Sequence, residues 1–331
     1  MMSALTRRQA ATAVVAIAAA LAGGLGPGLA AAAPHARPGS QGGGNDAAGS
    51  VTTGQAGHAL PVAAVPCDPN DPTRSLRPAG SPQVAPGSFM AAIRARGYLI
   101  AGVDPGTYHF GFLNPLDGQF EGFDIDMLRA ISAAIFGSPD KIQYKAIPDA
   151  QRIPAVQSGA VDIVAHTMTI TCARLQLVDF STAYFVAGQR VLVENNSPAR
   201  SIADLGGQKV CATRGSLSLA NVAAATSHPI PVSAAYWTDC LVKLQQGDVA
   251  AISTDDAILA GLAAQDPSTR IVGPRFTSEP YGLAISQQHP DFVRFVNAVL
   301  DQLRINGGWA ASYARWIGTP VPPPPPAKYK D

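Results

Sequence analysis

The run Thr167-Met168-Thr169-Ile170-Thr171-Cys172-Ala173-Arg174 sets three hydroxyls and one arginine just past an apolar stretch. A guanidinium grips a carboxylate through two parallel N–H···O bonds, and threonine hydroxyls complete the hydrogen bonding of the acceptor. Arg214-Gly215-Ser216-Leu217 places a glycine turn where a helix begins, which turns backbone N–H groups toward an anion. Thr254-Asp255-Asp256 puts an acid at the end of a strand and the start of a helix. There a carboxylate either caps the helix or holds an ammonium. The bland alternative for Arg174 is an exposed position on a helix. Together, a carboxylate holder, an anion-binding turn and an ammonium holder suit the two charged ends of an α-amino acid.

Catalytic patterns are missing. The chain has no Gly-x-Ser-x-Gly elbow, no His-Glu-x-x-His, no phosphate loop and no Gly-x-Gly-x-x-Gly. Its six histidines are scattered. His166, at a strand end, reads as a hydrogen-bond partner rather than a base. Asp124 and Asp126 resemble a glycosidase dyad in spacing, but they open a helix, where the dipole and the unpaired N–H groups favour acids. No cysteine pair has Cys-x-x-Cys spacing, so no metal site and no cofactor are expected. A net charge of +1 argues against nucleic acid as a partner.

These residues need elements to position them. Gly97–Asp104 reads as a buried strand. Phe123, Met127, Ile131 and Ile135 recur every four residues along a helix over 122–137 that Gly137 closes. A strand (141–147), a helix (150–159) and a strand (160–166) follow. A second series then runs through strands at 188–195, 208–213, 248–254 and 269–274, an extended stretch at 230–235, and helices at 215–226, 237–247 and 255–266. A strand (281–286) and one or two helices (290–318) close the folded part. The order predicts two α/β units with a cleft between them, where ligands meet the carboxyl ends of the strands.

The first 33 residues have Arg7 and Arg8, then an Ala/Val-rich run, then small residues at Ala30–Ala32, the layout of a secretory signal peptide. Export fits an apolar fraction of 47% with only 14% charged residues. Leu21-Ala22-Gly23 is followed by Gly24, and no cysteine precedes Cys67. A secreted or cell-envelope, extracytoplasmic protein without a lipid anchor is therefore expected. Residues 34–88 are rich in Gly, Pro, Ser and Ala and read as a flexible tether, and 319–331 as an extended proline-rich tail. Four cysteines in an exported chain read as two disulfides, and they allow three pairings.

Gly122-Phe-Asp-Ile-Asp-Met-Leu-Arg-Ala-Ile-Ser-Ala-Ala-Ile135 resembles the signature helix of the family 3 extracellular solute-binding proteins, the amino-acid-binding partners of ABC importers. Ser132 departs from that signature, which carries a small non-polar residue there. The Thr-x-Thr…Arg…Phe-Ser…Tyr order of residues 167–185 and Ser253-Thr-Asp-Asp-Ala-Ile-Leu-Ala-Gly261 are similar to two more of its stretches. With its cysteines, N-terminal tether and proline-rich tail, the chain looks most like the actinobacterial glutamine/glutamate-binding type.

The resemblance implies a bilobal, type II periplasmic-binding-protein-like fold, with two α/β lobes joined by two hinge crossings. One lobe would hold 89–186 plus 283–318 and the other 187–282. Those boundaries favour Cys211–Cys240 within the second lobe and Cys67–Cys172 to the first. Arg174 with Thr169 would hold the ligand's α-carboxylate, and Thr167 and Asp255 its ammonium. Ser216 and the Leu217 N–H would close from the second lobe. Asp104 and Arg152 would face the side chain, and Tyr108 or Phe110 would cover its apolar part. The implied function is extracytoplasmic binding of glutamine, glutamate, asparagine or aspartate and delivery to an ABC importer permease or a membrane sensor. The competing expectation is an exported enzyme on the same scaffold, of the prephenate or arogenate dehydratase type. That chemistry needs a positioned general acid and a second cation. Arg152 could serve as the cation, but no residue suggests the acid.

Overall fold

The computed structural model describes residues 67–330. The signal-peptide expectation for 1–33 and the tether up to residue 66 lie outside the described residues. Chain order begins α1 (Phe89–Arg96), β1 (Leu99–Val103), then the antiparallel strands β2 (Gly106–Thr107), β3 (Gly111–Leu113) and β4 (Phe120–Glu121). Next come α2 (Phe123–Phe136), β5 (Ile142–Ala146), α3 (Arg152–Gln157), β6 (Ile163–Val164), α4 (Cys172–Leu175), β7 (Asp179–Phe180) and β8 (Phe185–Ala187). Then follow β9 (Gln189–Glu194), β10 (Lys209–Thr213), α5 (Leu217–Ala224), β11 (Ile230–Ala234), α6 (Trp237–Gln245), β12 (Ala251–Asp255), α7 (Asp256–Gln265) and β13 (Thr269–Val272). The last are β14 (Glu279–Tyr281), β15 (Ala284–Ile285), α8 (Pro290–Ile305) and α9 (Gly308–Trp316).

Two five-stranded sheets organise the molecule, in the orders β5-β1-β6-β15-β7 and β11-β10-β12-β9-β13. Each has a parallel trio, β5-β1-β6 or β11-β10-β12, followed by one reversed strand. The reversed strand is β15 in the first lobe and β9 in the second. Each reversed strand directly follows a crossing between lobes. Those crossings are β8 and β14, which pair antiparallel with Phe185 opposite Tyr281 and Ala187 opposite Glu279. The hinge is thus a two-stranded ribbon.

The helices form where the apolar spacing places them. Phe123, Met127, Ile131 and Ile135 are all buried along one face of α2, and Gly137 ends it in a left-handed conformation. The first lobe's core also takes in Ile93, Leu99, Leu128, Phe292, Val296 and Trp309. The second lobe packs Leu192, Trp237, Ile252 and Leu259 around one side of its sheet and Val191, Val210 and Val222 around another. The disulfides are Cys67–Cys172 and Cys211–Cys240, each with Cα atoms 5.6 Å apart, an ordinary separation.

Residues 67–88 are not a free tether. Ser75 pairs with Tyr329 in a parallel bridge, and its hydroxyl donates to the Phe180 carbonyl at 2.6 Å. Asn297 of α8 donates to Ser75 Oγ and to the Leu76 carbonyl. The proline-rich tail is held beside it. Arg304 donates to the Pro325 carbonyl at 3.1 Å, Lys328 meets Asp71 at 2.9 Å, and Tyr329 donates to Asp301. Composition suggested a flexible tether at one end and an extended proline-rich tail at the other. A few polar side chains and Leu76 and Val321, both packed on the core, are enough to fasten them.

Candidate functional site

Two arginines of the first lobe converge on one carbonyl of the second. Arg174 sits in α4, whose first turn is capped by Thr171. It donates from Nη1 to the Thr169 carbonyl at 2.7 Å and from Nη2 to the Gly215 carbonyl at 3.3 Å. Arg152, at the start of α3, also donates to the Gly215 carbonyl at 3.3 Å, and to the Asp149 and His166 carbonyls. Its Nη1 pairs with Asp149 Oδ1 at 2.8 Å. Asp149 in turn accepts a hydrogen bond from Thr213 of the second lobe. These bonds fasten the lobes together in a closed arrangement. Gly215 has φ +85°, and a Cβ there would lie 2.7 Å from the Ala150 backbone, so only glycine permits this approach.

Between the lobes lies a tight cavity of about 10 Å³, room for about one water in this closed arrangement, lined by Asp149, Arg152, Thr167, Thr169, Arg174, Ser216, Leu217, Ser218, Trp237, Thr254, Asp255, Ile258 and Glu279. It lies beyond the carboxyl ends of β6, β10 and β12, where α/β sheets place their ligands. A larger void of about 620 Å³ opens beside it and shares Thr169, Leu217 and Glu279, but it carries neither arginine. Both arginines and Asp255 line only the smaller cavity, while the larger void carries Asp71, Lys328 and the shared Glu279.

Buried acids are spaced around this cavity. Asp255 ends β12 and is 5% exposed; its Oδ2 accepts from the Tyr281 hydroxyl at 2.6 Å. Burial, and then the neighbouring Glu279, push its pKa up to about 8. Asp124 accepts from the Tyr184 hydroxyl at 2.5 Å and from the Thr167 backbone N–H at 2.9 Å. Burial raises it to about 6. Its work is structural, because it pins the loop that carries Thr167. Asp126 likewise accepts from Ser312 and Trp316, on the far side of α2. Thr167 has φ +44°, a strained conformation for a β-branched residue, of the kind that concentrates at functional sites. Arg174 is brought down to about 9 by burial and by Arg152 nearby, which still leaves it charged at neutral pH.

Four buried polar atoms of the cavity-lining residues have no hydrogen-bond partner: Asp149 Oδ1, which is ion-paired with Arg152, and Thr167 Oγ1, Trp237 Nε1 and Glu279 Oε2, which are not. Each of the last three would cost about 1–3 kcal/mol if left unsatisfied.

Of the ten residues singled out from sequence, seven line the cavity: Arg152, Thr167, Thr169, Arg174, Ser216, Leu217 and Asp255. The Ser216 hydroxyl caps α5, accepting from the Leu219 N–H at 3.1 Å. The other three lie elsewhere. Asp104 is buried beside the cavity region, accepting from the Gly106 N–H at 2.7 Å and facing His166 Nε2 at 3.7 Å. Burial raises its pKa. Tyr108 packs edge-on against Phe112, with its carbonyl against Gly261. Phe110 does not cover the cavity. It is fully buried in the first lobe among Phe123, Phe185 and Tyr281, where an apolar ring is better accommodated than at a polar cleft.

Sequence reading missed Asp149, Ser218, Trp237, Thr254, Ile258 and Glu279. Thr254 and Ile258 were within reach, one residue before and three after Asp255. Trp237 begins α6, and its long apolar ring reads as core; the indole N–H carries its message only once the cavity is seen. Glu279 lies beside Pro280 in a stretch that sequence reading left outside any strand.

Comparison with known proteins agrees with this architecture. Residues 99–319 match the family of bacterial extracellular solute-binding proteins, family 3. The ABC transporter glutamine-binding protein GlnH of Bacillus subtilis is 36% identical over 229 residues, covering 69% of this chain and 84% of that protein. The glutamine-binding protein of Geobacillus stearothermophilus is 36% identical over 203 residues, 61% of this chain and 78% of its own length. Among solved structures, an ancestral arginine-binding protein bound to glutamine superposes with a TM-score of 0.63 at 34% identity, covering 68% of this chain and 99% of its own. The type II bilobal fold expected from the resemblance is the fold these structures share. The chain belongs to the family 3 bacterial extracellular solute-binding proteins, a family of binding proteins rather than enzymes.

Proposed function

We propose that this protein binds a small polar L-amino acid, glutamine before glutamate, asparagine or aspartate, in the closed cleft and hands it to an ABC importer. The observation that carries this reading is the cavity itself, whose unpartnered Thr167, Trp237 and Glu279 atoms sit among charged residues of both signs. Arg152 is neutralised by Asp149. That leaves Arg174 on one side and Asp255 with Glu279 on the other, a charge pattern complementary to a zwitterion. Arg174 and the Leu217 backbone take the α-carboxylate, and Asp255 with Thr167 takes the ammonium. Trp237 donates to a side-chain oxygen, which every one of the four candidates carries. The printed specificities of the glutamine-binding relatives favour glutamine among them.

In this reading the lobes close about β8 and β14, with the Gly215 carbonyl docking onto the two arginines. No helix among the described residues is long and apolar enough to cross a membrane. A separate permease is the proposed acceptor, in keeping with the ABC transporter relative, and a membrane sensor receiving the same closed form is the alternative. A thermal-shift screen of the amino acids, followed by calorimetry, tests the proposal. Stabilisation by glutamine and its close relatives is expected. Stabilisation only by large apolar or aromatic amino acids would refute it.

A further inference from the structure

We infer that Glu279 is a second carboxylate for the ligand's ammonium, acting beside Asp255 and carried on the hinge rather than on either lobe. The inference rests on the amino-acid reading above and adds to it a residue that sets specificity.

Glu279 opens β14, one of the two hinge strands, where it pairs with Ala187 of β8. A surface glutamate on a ribbon would turn to water. This one is 3% exposed, and its Oε2 is buried with no partner. It lines the cavity together with Asp255 and Arg174, and it also forms part of the wall toward the larger void. A buried carboxylate oxygen without a donor is costly, and the cost falls away if a cationic group arrives with the ligand. Asp255 has already committed Oδ2 to the Tyr281 hydroxyl, so Asp255 Oδ1 and Thr167 offer two acceptors and Glu279 supplies the third that an ammonium needs.

The neighbourhood supports this placement. Asp255 feels Glu279 and hydrogen-bonds Tyr281, both from β14, and it also feels Asp256 from α7 and Asp149 from the first lobe. Arg174 of α4 feels both Asp255 and Glu279. Burial, and after it the neighbouring Glu279, keep a proton on Asp255 in the ligand-free protein. An entering ammonium replaces that proton, so binding near neutral pH releases it to solvent. Removing the Glu279 charge has two consequences: one attraction to the ammonium disappears, and Asp255 gives up its proton at lower pH.

Calorimetry of L-glutamine binding, in two buffers of different ionisation enthalpy, reads both affinity and protons released. The parental protein is expected to release a proton at about pH 7. Glu279→Gln is expected to bind about tenfold more weakly at about pH 8, where Asp255 is about half ionised and Arg174 still mostly charged, and to release fewer protons at about pH 7. Glu279→Asp keeps the charge and should keep most of the proton release. Parental affinity and proton release in Glu279→Gln would overturn the inference. So would parental protein that binds glutamine without releasing a proton, a result that needs no variant to fold. If the parental protein binds no amino acid, the amino-acid reading itself fails. If it binds, Arg174→Ala does not, and Glu279→Gln matches the parent, only the role of Glu279 is lost.

Discussion

At the scale of the residue, Asp255 is held against its own chemistry. Its carboxyl keeps a proton up to about pH 8 in the folded protein, against an ordinary value of 3.8. The folded state therefore binds a proton that the unfolded state releases. Stability from this group is fully present below the unfolded value and is lost as pH rises from about 4 toward 8. Asp124 acts in the same direction over a narrower window, ending at about 6. The ligand-free protein should thus lose stability steadily across this range in urea melts. Asp255→Asn removes the charge while leaving an acceptor for the Tyr281 hydroxyl. It should raise the urea midpoint at about pH 8 and, in calorimetry, lose the amino acid. An unchanged midpoint would mean that Asp255 is ionised in the folded protein. Residues of this kind are half legible in sequence. Arg174 and Asp255 announce themselves because charge at strand and helix ends needs a reason. Phe110 misleads because an aromatic residue serves a core or a cleft equally well. Glu279 stays hidden because nothing local tells a buried glutamate from an exposed one.

At the scale of the element, one turn carries the closest backbone contact of the second lobe onto the two arginines. The loop from β10 into α5 brings the Gly215 carbonyl to Arg152 and Arg174. Gly215→Ala meets both a positive φ and a clash with Ala150. It should weaken ligand binding by about tenfold or more while leaving each lobe folded, because the clash with Ala150 arises only on closure, while the φ strain is confined to the turn. Small-angle scattering should then show a smaller ligand-induced compaction than in the parent, and equal compaction would contradict this account. The helices and parallel strands were legible because apolar spacing repeats over whole elements, as in α2. The short strands were not. β2, β3, β4, β8 and β14 have two or three residues each, too few for any period to show. The strapping of residues 67–88 was hidden by composition, since Gly- and Pro-rich chain looks alike whether attached or free.

At the scale of the whole molecule, the two disulfides divide the labour. Cys211–Cys240 staples β10 to α6 inside the second lobe, and Cys67–Cys172 ties the N-terminal strap to the helix that carries Arg174. Neither spans the hinge, so closure stays free. The separations of 29 and 105 residues correspond to about 3–4 and about 5 kcal/mol in the chain-entropy model. Cys67→Ser with Cys172→Ser should therefore lower the melting temperature by several degrees, as calorimetric scanning would show. The central claim is that the cleft between the lobes holds an amino acid by its charged ends. Titration calorimetry of L-glutamine into the parental protein and into Arg174→Ala tests it most directly. The parent should bind one ligand per chain, and the variant should bind at least about 30-fold more weakly, because a carboxylate left unpaired in a closed cleft costs about 2–5 kcal/mol. Equal affinity in the two proteins would contradict the account and place the ligand elsewhere.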